Sequence, residues 1–229
     1  MDNENPNLSS DPGALILDSA LAHVPFDGWS DAALVAAAAD SGVTEAQARA
    51  LYPRGGVDLA AAYHRRGDRL MVARLAEMDL TGLRFRDRIA AAVMARLEVV
   101  DKELVRRGTA LFALPQNAGE GARLIWGTVD AIWRALGDTS EDVNWYSKRA
   151  TLAAVYAATV LYWLNDHSEG EADTRAFLSR RIENVMGIEK AKAAFRANPL
   201  GRALLGGPFS ALSKIRAPRA NNLPGSLEP

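Results

Sequence analysis

The chain has 229 residues, of which 48% are hydrophobic and 24% charged, with a net charge of −1 and no cysteine. That length and apolar content suffice for a buried core, while the lack of cysteine excludes disulfides, thiolate nucleophiles and cysteine-based metal sites and fits a reducing compartment. The opening Met1-Asp-Asn-Glu-Asn-Pro6 is acidic and polar, unlike a secretory signal or a transit peptide.

Apolar residues recur at helical spacing and nothing reads as a strand, so the expected fold is all-α. Asp11-Pro12 reads as an N-cap and first-turn proline, opening a helix to about Val24. Ser30 caps a second helix to about Asp40. Thr44 with Gln47 forms a capping box for a third, which ends before Pro53. Gly55-Gly56 breaks the chain ahead of a long helix to about Leu80. One further helix is expected over Arg84–Arg107, with Phe85, Ile89, Val93, Leu97, Val100 and Leu104 on one face. The Leu114-Pro115-Gln116-Asn117 loop leads into a helix that Gly137 ends. The next helix, 146–165, contains sixteen consecutive uncharged residues between Arg149 and Asp166, too few for the roughly 20 of a bilayer span. Asp173 or Thr174 caps the last one, to about Met186, striped by Phe177, Leu178, Ile182 and Val185. Residues 217–229 have no periodicity and read as disordered.

Charge is unevenly spread. Residues 190–229 hold seven basic side chains against Glu228 alone, which leaves 20 basic and 27 acidic residues for the rest of the chain. If helical, the tail places Leu200, Leu204, Leu212 and Ile215 on one side and Arg202, Lys214 and Arg216 on the other. A basic amphipathic segment reads as a membrane-surface element, and a helix docked on the body is the alternative.

Three motifs bear on function. The first three helices have the outline of a helix-turn-helix, as in TetR-type regulators. Residues 11–54 carry six acidic residues against Arg49 and Arg54, a charge that repels phosphate, so the module is expected to be a scaffold that binds no nucleic acid. His23, His64 and His167 stand in no metal-ligand or catalytic spacing, and Gly-rich phosphate loops and nucleophile elbows are absent, so no catalytic or metal site is expected. Trp145 and Tyr146 open the uncharged helix. They diverge by about 100° around its axis and cannot both point inward. The five alanines Ala150, Ala153, Ala154, Ala157 and Ala158 leave room beside Val155, Tyr156, Val160 and Trp163. Core packing and an apolar cavity both fit these residues.

Leu114-Pro-Gln-Asn117, Val129-Asp130-x-x-Trp133, Gly137-Asp138-x-Ser140-x-Asp142-x-Asn144-Trp145-Tyr146-x-x-Arg149-Ala150 and Leu152-Ala-Ala-x-Tyr156 together resemble the TetR-like, lipid-binding accessory proteins of ubiquinone biosynthesis. The resemblance covers about residues 14–190, with Val143 where a Phe is expected. It implies a TetR-like fold divided into a tri-helical module (1–54), a lipid-binding helical domain (55–190) and a basic amphipathic tail (191–229). It also implies a non-enzymatic homodimer without cofactor, cytoplasmic and peripheral to the inner membrane. Such a protein binds an isoprenoid quinone or a phospholipid and presents a quinone precursor to the demethoxyubiquinone hydroxylase. The residues expected to meet that partner are Asp142, Asn144, Trp145, Tyr146 and Arg149. Lipid is expected against Trp133, Ala154, Val155, Tyr156, Ala158, Thr159, Tyr162 and Trp163, and membrane against Leu200, Arg202, Leu204, Leu205, Phe209, Leu212, Lys214, Ile215 and Arg216. A TetR-like regulator sensing an apolar ligand is the alternative.

Overall fold

The computed structural model describes residues 11–139 and 143–197, the side chains of 143–144 and 188–197 excepted. The described residues are helical and contain no strand. Their helices are α1 (Pro12–Asp27), α2 (Asp31–Asp40), α3 (Glu45–Leu51), α4 (Gly56–Glu77), α5 (Phe85–Glu98), α6 (Lys102–Ala113), α7 (Ala118–Ala135), α8 (Val143–Trp163) and α9 (Ala172–Ala197).

Caps set most of the helix starts. Asp11 accepts from the Gly13 N–H at 3.0 Å, Ser30 from Ala33, and Thr44 and Gln47 close their capping box. α1 continues past Pro25 to Asp27, further than its proline suggests. The expected single helix over 84–107 is two helices. Asp101, within the span expected to be one helix, accepts from the N–H groups of Glu103 and Leu104 and caps α6, while its own N–H donates to the Tyr63 hydroxyl at 2.8 Å. α9 differs too. Its first turn is satisfied by Asp166 rather than by Asp173 or Thr174, because the Asp166 carboxylate accepts both the N–H and the hydroxyl of Thr174. α9 also runs to Ala197, beyond the expected end at Met186.

The chain divides into two compact units. One comprises residues up to Arg74 with Ala95–Leu124, the other Leu75–Met94 with Ile125 onward. In the first, Ile16, Ala20 and Val24 of α1, Leu34 and Ala37 of α2, Ala48 of α3, Leu59 and Tyr63 of α4 and Leu104 of α6 form one core. The Trp29 indole donates to the Leu104 carbonyl at 3.0 Å and packs on the Tyr63 ring at 5.4 Å. The tri-helical module therefore shares its core with α4 and α6. In the second unit α8 buries Leu152, Val155, Tyr156, Thr159 and Trp163, the face that 3.6-residue spacing selects, while Leu161 and Tyr162 are exposed.

Gly56 starts α4 where the helix meets the backbone of α2's leading loop. A Cβ there would stand 2.2 Å from the Trp29 carbonyl oxygen and 2.4 Å from the Ser30 nitrogen. We expect Gly56→Ala to destabilise the protein by about 1–3 kcal/mol, the usual range for overpacking a close contact. Gly127→Ala, at a position with open space around it, should instead gain up to about 1 kcal/mol of helix propensity. Thermal denaturation of the two variants side by side checks the contrast.

Candidate functional site

Gly137, at φ +80°, ends α7 in the left-handed conformation and delivers Asp138 toward α8. There Arg149, 1% exposed, joins three parts of the family-like motif. Its Nε donates to Asp130 Oδ1 at 2.7 Å, and its Nη1 to Asp138 Oδ2 at 3.1 Å and to the Trp145 carbonyl at 3.3 Å. The second oxygens of these carboxylates are used as well: Arg134 reaches Asp130 at 2.8 Å and Lys148 reaches Asp138 at 2.9 Å. The Arg149 guanidinium also lies 4.0 Å from the Trp145 ring centroid, a cation–π contact that fixes the indole from below.

Trp145 and Tyr146 are both half-buried. Their rings meet edge to face at 4.7 Å, and Trp126 of α7 packs on Trp145 at 5.9 Å. Arg149 is inside, and its place is beneath the aromatics, not beside them on a docking face. Asp142 lies outside the described residues, as do the side chain of Asn144 and the whole expected membrane set from Leu200 to Arg216.

Against this node α5, α7, α8 and α9 enclose an open cavity of about 480 Å³. Its wall is largely apolar: Phe85 and Ile89 from α5, Trp133 from α7, Leu152 and Val155 from α8, Ile182, Val185 and Met186 from α9. Arg84, Arg86, Ser147, Lys148 and Thr151 supply the polar lining. The volume lies within the roughly 300–1,000 Å³ of small-molecule sites.

Of the eight residues expected to hold lipid, Trp133 and Val155 line this cavity. Tyr156, Thr159 and Trp163 are buried elsewhere in the unit, the Thr159 hydroxyl on the Val155 carbonyl and the Trp163 indole on Glu171. Ala154 is exposed. Ala158 and Tyr162 border a second, more polar hollow of about 440 Å³ with Leu161, Asn165, Asp166 and Phe177. Phe85, Ile89, Ile182 and Val185 were legible as members of apolar stripes. What the sequence lacked was any sign that stripes from different helices leave a gap between them.

Strongly shifted titrations mark catalytic sites when they fall in a cleft. Here they have structural causes. Burial, reinforced by Arg96, holds the His64 imidazole down at about 4. Hydrogen bonds from Ser168 and Thr174 hold Asp166 far below the ordinary carboxylate range. Neither residue lines the apolar cavity. Among the described residues no group of three His, Asp or Glu could hold a metal ion, and no helix is long and apolar enough to cross a membrane.

Comparison with known proteins places these features. The COQ9 family model matches residues 118–189, the stretch that carries α7, the Arg149 node and α8. "Ubiquinone biosynthesis protein COQ9, mitochondrial" of Drosophila melanogaster is 33% identical over 182 residues, 77% of this chain and 56% of the fly protein. The Homo sapiens protein of the same name is 30% identical over 210 residues, 88% of this chain and 65% of its own length. This chain belongs to the COQ9 family. It spans somewhat more than half of these relatives' length. A TetR transcriptional regulator from Nitrosomonas europaea superposes with a TM-score of 0.60 at 24% identity, over 75% of this chain and 95% of its own. The fold of this COQ9-family chain is therefore TetR-like and all-α, as the resemblance implied.

Proposed function

We propose that this chain is a non-enzymatic accessory protein of ubiquinone biosynthesis. It holds an isoprenoid or phospholipid ligand and presents a quinone precursor to the demethoxyubiquinone hydroxylase. The observation that carries this reading is the apolar cavity of about 480 Å³ between α5, α7, α8 and α9, with three of those helices contributing aliphatic side chains. The names of the fly and human relatives support the pathway. The half-buried Trp145–Tyr146 pair, braced on Arg149, supports a docking role for those rings. The exposed Leu161 and Tyr162 of α8 support the homodimer, and the basic residues beyond 190 support a place at the membrane surface. Arg49, in α3, is engaged by Glu45 at 2.8 Å and Asp31 at 3.6 Å, which supports a scaffold and not a DNA-reading role for the first three helices.

Extraction of the natively purified chain followed by mass spectrometry should recover isoprenoid quinones or phospholipids at near-stoichiometric occupancy. A chain that is empty as isolated, and that also takes up no added quinone or phospholipid, would sink the lipid-binding reading.

A further inference from the structure

The cavity has a polar corner whose chemistry is one-sided. Arg84, Arg86 and Lys148 line it, and among the described residues no carboxylate does. Acids outside the lining pair with these cations: Asp87 at 2.7 Å from Arg84, Asp138 at 2.9 Å from Lys148, and Asp87 and Glu183 at 3.6 and 3.9 Å from Arg86. The long pairs of Arg86 leave most of its hydrogen-bonding capacity for another acceptor.

The corner converges on one aromatic pair. Phe85, between the two arginines in sequence, packs on Trp133 at 5.5 Å, and the Lys148 ammonium stands 5.3 Å from the Trp133 ring centroid. Trp133 adds an independent sign. It is 6% exposed, and its indole N–H has no acceptor among the described residues, a buried donor of the kind that native structures seldom leave unsatisfied. The three cations are all donors. They match a head group made only of acceptors.

We propose that the cavity selects amphiphiles with an anionic head, carboxylate or phosphate, over neutral ones of the same chain. The head meets Arg84, Arg86 and Lys148 beside Trp133, and the chain lies along Ile89, Val155 and Ile182. This rests on the cavity's being a lipid site, and it narrows which lipid the site prefers.

The test is displacement of Nile red, an uncharged apolar dye, from the delipidated full chain by hexadecanol, palmitate and hexadecyl phosphate, each kept below its micelle concentration. The two anions are expected to displace the dye at roughly tenfold lower concentration than the alcohol, the scale of one charge-assisted hydrogen bond. High salt should narrow that advantage. Arg84→Gln with Arg86→Gln should abolish it while leaving hexadecanol unchanged. The two arginines are at the rim, so this variant tests the head-group contact without removing the internal pair of Lys148 with Asp138. Preference for phosphate alone assigns a phosphorylated lipid head, and for palmitate alone a free acid, both within the proposal. Equal displacement by all three, or a preference that survives the double variant, overturns the proposal and leaves the lipid site standing. Failure of every amphiphile to displace the dye overturns the lipid site itself.

Discussion

Arg149→Leu is expected to cost about 3–5 kcal/mol of folding stability, the range for removing one partner of a buried ion pair. The residue is 1% exposed and serves two carboxylates and a main-chain carbonyl. Its removal leaves Asp130 still paired with Arg134 and Asp138 with Lys148, so the loss should fall toward the lower end of that range. Arg149→Lys should rescue little, because one ammonium cannot serve both carboxylates while stacking on Trp145. Adding Asp130→Asn and Asp138→Asn to the Leu variant should recover part of the loss by removing the stranded charges. Chemical denaturation measures all three. A Leu variant within about 1 kcal/mol of the parent would return Arg149 to the surface role that the motif alone suggested.

Trp145→Ala with Tyr146→Ala is expected to abolish capture of the demethoxyubiquinone hydroxylase, since truncating a Trp or Tyr anchor costs about 2 kcal/mol or more of binding. The same double change should leave the bound lipid in place, because neither ring lines the apolar cavity. Both rings are half-buried, so some loss of stability is expected, but less than the roughly 3–5 kcal/mol per residue of a core aromatic. Affinity capture, lipid content and melting temperature, read on one preparation, separate the possibilities. A folded variant that still captures the hydroxylase would remove the docking role. One that unfolds would assign the pair to the core.

The two variants also separate jobs that the motif merges. Trp145 and Tyr146 keep part of their surface, whereas Arg149, four residues from Trp145, keeps almost none. One turn of helix carries a side chain from the rim to the interior, and the node of Asp130, Asp138 and Arg149 turns three sequence-distant charges into a brace for one indole.

Local chemistry was legible wherever a helix begins by its own cap. Asp11, Ser30 and the Thr44–Gln47 box act within two or three residues, so a linear reading finds them. Asp101 escaped because periodicity runs on through it, and a cap inside an apolar repeat looks like any exposed acid. Asp166 escaped because it caps α9 from eight residues away, across a 3-10 turn at Glu169–Glu171.

By itself, the sequence determined the all-α class, most helix starts, the motif of the COQ9 family and the uneven charge, since each follows from spacing or residue type. Only the tertiary structure decided what the uncharged α8 does with its faces. An apolar run carries no periodic signal, so its small residues fit core packing and a cavity wall alike. Packing against the neighbouring helices turned Leu152 and the expected Val155 to the cavity and left Ala154 exposed. A cavity is the space that several helices fail to fill together, and no single helix encodes it.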